Sequence, residues 1–165
     1  MNEPPHIPKG FTLVELLAVI LVIAILVAVV VGVSGRVMRK GAEEQTRLHM
    51  KVIMNAVSIY YEQYQAYPQF SGTNYTDHNT KLYRLFWNSS WGSEGSVKEK
   101  AREKATNILS SLPKEGVSGA SFVDGFKQVM RYRYVGGDEP RAYLESPGAD
   151  GNFDEKEDNI RSDRR

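Results

Sequence analysis

The sequence predicts an α+β chain: one long N-terminal helix, its first half within a membrane, followed by a small head built on an antiparallel sheet. Three observations carry that prediction. From Phe11 to Val33 only Thr12, Glu15 and Gly32 interrupt an apolar run, and about 20 such residues at 1.5 Å rise match a hydrocarbon layer of about 30 Å. Beyond the run a helical apolar stripe continues: Ile53, Val57, Tyr60, Tyr64 and Tyr67 step by four and three. Near the C-terminus Met130, Tyr132 and Tyr134 alternate with Arg131 and Arg133, the period of a half-buried strand.

The chain has 165 residues, enough for one domain and an anchor. Its formal net charge of +1 gives no bulk electrostatic attraction to nucleic acid, which is not expected as a partner. There is no cysteine, so disulfides, thiol nucleophiles and thiolate metal sites are excluded. His6, His49 and His78 are scattered, and no His-x-x-x-His pair, phosphate-cradling glycine loop or nucleophile elbow is present. Nothing in the chain reads as an enzyme.

Taken in order, the chain divides into a leader (1–10), a membrane helix (11–35), the second half of the same helix (36–68), a head (69–160) and a tail (161–165). The leader has no apolar core, and Pro4, Pro5 and Pro8 forbid a regular helix. Glu15 lies a few residues inside the apolar run, where a charge costs about 2.5–3.5 kcal/mol at the centre of a span and therefore calls for a partner. Gly32, Gly35 and Gly41 follow, each costing a helix about 1 kcal/mol relative to Ala, so the helix is weakest where it leaves the membrane. One helix from about Phe11 to about Ala66 results, closed by Pro68.

Residues 69–95 read mostly as loop. A short helix fits Lys81–Trp87 with Leu82, Leu85 and Phe86 inward, and Trp87 is assigned to the core while Trp91 is unassigned. Asn74-Tyr75-Thr76 and Asn88-Ser89-Ser90 match the glycosylation sequon, a short pattern that carries little weight by itself. A second helix fits Ser96–Leu112: Ser96 and Glu99 form a capping-box pattern, and Val97, Ala101, Ala105, Ile108 and Leu112 make a thin stripe opposite a charged, solvated face. The strand over Met130–Val135 pairs with Ala142–Glu145 across Gly136–Pro140. Tyr and Arg fall on opposite faces of it, which explains the arginines without nucleic acid. Last comes an acidic, glycine-containing loop from Ser146 to Ile160, of the kind in which hard cations collect oxygens, though without EF-hand spacing.

Lys9-Gly10-Phe11-Thr12-Leu13-Val14-Glu15 resembles the prepilin cleavage and methylation motif of bacterial type IV pilins and type II secretion pseudopilins. The resemblance implies a pilin fold with a variable middle region, cleavage between Gly10 and Phe11 by a membrane prepilin peptidase, and N-methylation of Phe11. The amine so created shares a helix face with Glu15, four residues on, and opposite charges attract strongly in low dielectric. The Glu15 carboxylate of an incoming subunit is expected to pair with the Phe11 amine of a neighbour and set the filament register. Relatives often carry Pro at the position of Gly32 and Gly at that of Ala24. Arg36, Arg39 and Lys40 outnumber Lys9 across the span, so charge alone places the C-terminal side inside; the cleavage motif implies the reverse.

Tyr60-Tyr61-x-x-Tyr64-x-x-Tyr67-Pro68, Asp124-Gly125-Phe126, Tyr132 and the Ser146–Ile160 loop are similar to the major pseudopilin of type II secretion. That resemblance implies calcium held by the side chains of Asp150, Glu157 and Asp158 and the main-chain carbonyl of Pro147, with Glu157 standing where Asp is usual and Asp154 and Glu155 as its substitutes. It further implies a homopolymeric pseudopilus driving protein export across the outer membrane. Its partners would be further copies of the chain, minor pseudopilins, the prepilin peptidase, an inner-membrane assembly platform and, before assembly, membrane lipid. The subunit would start as a single-pass inner-membrane protein with a periplasmic head and end in a periplasmic filament. The alternatives are a type IV pilus subunit for adhesion, motility or DNA uptake, and a signal-anchored binding domain that never polymerises.

Overall fold

The computed structural model describes residues 11–87 and 96–164, with residues 29–34 and 96–99 described by backbone alone. The leader with Gly10, the second sequon at Asn88, Trp91 and the Ser96–Glu99 side-chain cap all lie outside the described residues. The chain divides into two compact units, residues 1–38 and residues 39–165.

In the first unit the helix α1 begins; it spans Leu13–Tyr64 and passes through the glycines at 32, 35 and 41 without a break. The large apolar side chains from Leu13 to Val27 are all exposed, an uncovered surface of the kind that marks a lipid or protein contact. Among the described residues no helix is long and apolar enough to cross a membrane. The side-chain description stops at Ala28, inside the apolar run, and resumes at Gly35.

In the second unit α1 lays Met50, Ile53, Ala56 and Val57 into the core. Tyr60, Tyr64 and Tyr67 pack against its edge, half-buried. The helix stops at Tyr64, four residues before Pro68. Gln65 adopts φ 51°, its N–H bonds the Tyr61 carbonyl at 2.7 Å, and its side chain donates to the Glu62 carbonyl at 3.1 Å. A left-handed residue that satisfies its own last turn is thus the terminator.

The expected loop after Pro68 is shorter than read. Helix α2 spans Tyr75–Trp87, because Asn74 caps it: its Oδ1 accepts the N–H of Thr76 at 3.1 Å and of Asp77 at 3.4 Å. The sequon asparagine is therefore a helix cap. Leu82 and Phe86 are buried, and Trp87 stacks on Tyr83 at 4.6 Å. Helix α3 spans Ser96–Ser110, two residues shorter than expected, and buries Ala105 and Leu109, of which Leu109 was outside the predicted stripe.

A 3₁₀ turn, Lys114–Gly116, leads into the two-stranded ribbon β1 (Val117–Ser118) and β2 (Ser121–Phe122). The main sheet has the order β3-β4-β5, with β3 Arg131–Val135, β4 Arg141–Ser146 and β5 Ile160–Arg161. β3 and β4 pair antiparallel with Tyr132 opposite Leu144, and both side chains enter the core with Met50, Ile53 and Val57. The Tyr132 hydroxyl donates to the Pro68 carbonyl at 2.9 Å. β5 pairs with the end of β4 and was not expected. The tail is pinned to the sheet: Ser162 N–H bonds the Leu144 carbonyl at 3.0 Å, and its Oγ accepts the Leu144 N–H at 2.9 Å.

A buried asparagine locks α2 to the sheet side. Asn79 Nδ2 donates to the carbonyls of Phe122 at 2.9 Å and Met130 at 2.7 Å, and its Oδ1 accepts the Phe122 N–H at 2.8 Å. Long helix, small antiparallel sheet and intervening helices together make an α+β architecture of the pilin type.

Candidate functional site

Two sequence-predicted sites lie at opposite ends of the chain. At the first, Phe11 is exposed and Thr12 is the last residue before the regular helix. Glu15 Oε2 accepts both the N–H and the hydroxyl of Thr12 at 2.9 Å, while the Glu15 N–H bonds Thr12 Oγ1 at 3.3 Å. This reciprocal exchange is a capping box. It satisfies helix-end donors that an apolar surrounding would leave unpaired. The Thr-x-x-Glu spacing is itself the sequence signature of this cap, set inside an apolar run. Glu15 thus has a hydrogen-bonding partner within its own chain. Its carboxylate is held one residue from the atom that becomes the amine if the chain is cut after Gly10.

At the second site β4 ends at Ser146, and the chain enters the acidic loop through Pro147 and Gly148, both buried. Asp158 closes the loop: its Oδ2 accepts the N–H of Ala149 at 3.0 Å and of Asp150 at 3.4 Å. Gly148 has φ 74°, and a Cβ there would stand 2.5 Å from the Asp158 carbonyl oxygen and 2.6 Å from its carboxylate. Only glycine allows this closure.

Further along, Asp150 Oδ1 accepts the Asn152 N–H at 2.9 Å and Asn152 Oδ1 the Asp154 N–H at 3.0 Å. These successive side-chain turns follow an alternation of Asp150, Asn152 and Asp154 along the loop. Phe153 lies under the Arg131 guanidinium, 3.7 Å from ring centre to Cζ. Arg133 sits over Tyr75 at 4.3 Å and 3.6 Å from the Glu145 carboxylate. Both strand arginines therefore have partners within the fold.

The loop brings Asp158 against the Asp150 backbone. Among the described residues no group of three or more His, Cys, Asp or Glu side chains is placed so as to hold a metal ion. The loop's attachment to the fold runs through Asp124, the first residue of the Asp124-Gly125-Phe126 stretch. Asp124, fully buried, accepts the N–H groups of Phe126 and Gln128 at 2.8 Å on Oδ1 and the Ser146 hydroxyl at 2.6 Å on Oδ2. The next residue, Gly125, donates to Thr46 Oγ1 on α1 at 2.9 Å. Burial pushes the Asp124 carboxyl above its ordinary range, against these hydrogen bonds, which pull it down.

Compared with known proteins, residues 8–31 match the prokaryotic N-terminal methylation motif. No curated protein and no solved structure matches the chain. The matched segment contains Gly10, Phe11 and Glu15 together with the first part of α1. That signal is the one carried by structural subunits that are processed by prepilin peptidase, anchored in the inner membrane and then built into filaments. On an α+β fold of the pilin type, the chain bears the amino-terminal signal of type IV pilin-like proteins.

Proposed function

We propose that the chain is the major subunit of a type II secretion pseudopilus, polymerising through its N-terminal helices and driving protein export across the outer membrane. The methylation motif over residues 8–31 supports a pilin-like subunit. The finer reading rests on one observation: a chain without cysteine closes its C-terminal loop through the Asp158 carboxylate. In this reading Phe11 becomes the methylated N-terminus, Glu15 meets the Phe11 amine of a neighbour, and minor pseudopilins and an inner-membrane platform complete the assembly. An in-frame deletion in the source bacterium tests it. Loss of exported enzymes from the medium, with surface pili, motility and DNA uptake intact, is the expected result. The opposite pattern makes the chain a type IV pilus subunit, and no defect in either makes it an anchored monomer.

Calcium belongs to the same proposal, with Asp150, Glu157, Asp158 and the Pro147 carbonyl as the residues that would hold it. Hard cations take six to eight oxygens in such loops, and binding to the folded state alone raises stability by linkage. The test is a thermal melt with calcium and with chelator. The expected rise in midpoint is abolished by Asp150→Ala; no response at millimolar calcium removes the metal from the reading.

A further inference from the structure

A cleft of about 530 Å³ opens between α1 and the C-terminal segment, lined by Arg47, Lys51, Arg161 and Arg164 over Met50 and Met54. Arg161 is held by Asp163 in a two-pronged pair, 2.9 and 2.7 Å. Arg47, Lys51 and Arg164 are exposed, and among the described residues none of them has an ion-pair partner. Three unneutralised cations thus stand around a partly apolar floor. Less water at such a floor strengthens their attraction for an anion.

The matching anions are on the same chain. Asp154 and Glu155 are exposed at the crest of the acidic loop, and among the described residues neither has an ion-pair partner. Their position is fixed from both sides. Asn152 Oδ1 holds the Asp154 N–H, the Phe153 carbonyl accepts Asn159 Nδ2 at 3.1 Å, and Arg131 covers the Phe153 ring. Two carboxylates are therefore presented on an ordered loop, which lowers the entropic cost of docking.

We infer that the cleft receives the Asp154–Glu155 crest of a second copy of this chain, with Arg47, Lys51 and Arg164 as its partners. The contact joins two different patches, and repeated contacts of that heterologous kind build open helical polymers. Complementary charge fixes register and suppresses wrong pairings. The inference rests on the reading of the chain as a polymerising subunit.

The absence of native cysteine allows a clean test in the full-length, membrane-inserted protein. Lys51→Cys and Glu155→Cys chains are co-expressed under tags of different size and oxidised. Mixed disulfide dimers should exceed those of either variant alone by roughly tenfold, because docking raises the local thiol concentration. Adding Arg47→Glu to the Lys51→Cys chain should return the yield to background, and Asp154→Lys on the partner should restore it. Background cross-linking within filaments that form normally overturns the inference and leaves the subunit reading standing. No filaments from the unaltered chain overturns both. Background cross-linking, together with loss of binding to anionic phospholipid vesicles on Arg47→Glu, overturns it in favour of a lipid phosphate.

Discussion

The Ser146 hydroxyl donates to Oδ2 of Asp124 at 2.6 Å, and the same Oγ accepts the Gly148 N–H at 3.1 Å. One buried hydroxyl therefore joins the end of β4, the first turn of the acidic loop and the Asp124–Gln128 turn, which is itself tied to α1 through Gly125 and Thr46. Ser146→Ala leaves a buried carboxylate oxygen and a buried N–H without this partner. We expect a loss of about 1–3 kcal/mol, read as a lower urea midpoint at unchanged slope for residues 39–165. A loss below about 0.5 kcal/mol, the usual range for surface changes, would show that the hydroxyl is dispensable.

Asp124 also makes a pH prediction. Burial raises its folded-state value above the unfolded one, so the folded state favours the protonated form. Its contribution to stability is full below the unfolded value of about 3.9 and is lost as pH rises through the raised folded value. Asp124→Asn does not titrate. The stability of the unaltered protein relative to this variant should fall as pH rises from about 3 through the raised value, and then level off. A difference that stays constant over that window would mean that the hydrogen bonds from Ser146, Gln128 and Phe126 fully offset the burial.

The sequence shows plainly what is periodic and local. The β3–β4 hairpin was readable because Met130, Tyr132 and Tyr134 alternate with arginines ahead of a glycine-rich turn, and β3 pairs with β4 as that pattern requires. The second half of α1 was readable from Ile53 and Val57. By contrast, β5 is two residues long and follows an aperiodic acidic run, so its pairing with Glu145 and Ser146 left no pattern. The buried polar residues were equally silent. Thr46, His49 and Asn79 bond to groups 79, 74 and 43 residues away, and a bond across such a separation has no local signature. The Thr12–Glu15 cap is the one feature of the first site that spacing alone could have revealed.

Gly148 and Gly151 separate backbone strain from steric closure. Both have left-handed backbones, φ 74° and 72°, so alanine at either position costs on the order of 1 kcal/mol in conformational strain. At Gly151 the nearest atoms belong to the flexible Gln128 side chain, 3.4 Å away, whereas at Gly148 they are the Asp158 carbonyl and carboxylate. Gly151→Ala should therefore cost about the strain alone. Gly148→Ala should cost clearly more and should release the Ala149 N–H from Asp158, seen as faster amide exchange at Ala149. Equal effects of the two substitutions would remove Asp158 as the loop's closing group.

Glu15 holds two roles that one pair of substitutions can separate. As the third residue after the Thr12 cap it exchanges hydrogen bonds that glutamine also supplies, since Glu and Gln both serve in capping boxes. As a charge it is expected to neutralise the Phe11 amine of a neighbouring subunit in low dielectric, which glutamine cannot do. If the charge governs assembly, Glu15→Gln and Glu15→Val should both abolish filaments, and both chains should still be cut after Gly10. If the cap governs, Glu15→Gln should assemble while Glu15→Val and Thr12→Val should not. We expect the first pattern, because the cap forms within one chain and needs no second subunit, whereas a buried unpaired amine would oppose every addition to the filament. Filament yield together with the mass of the processed N-terminus distinguishes the two.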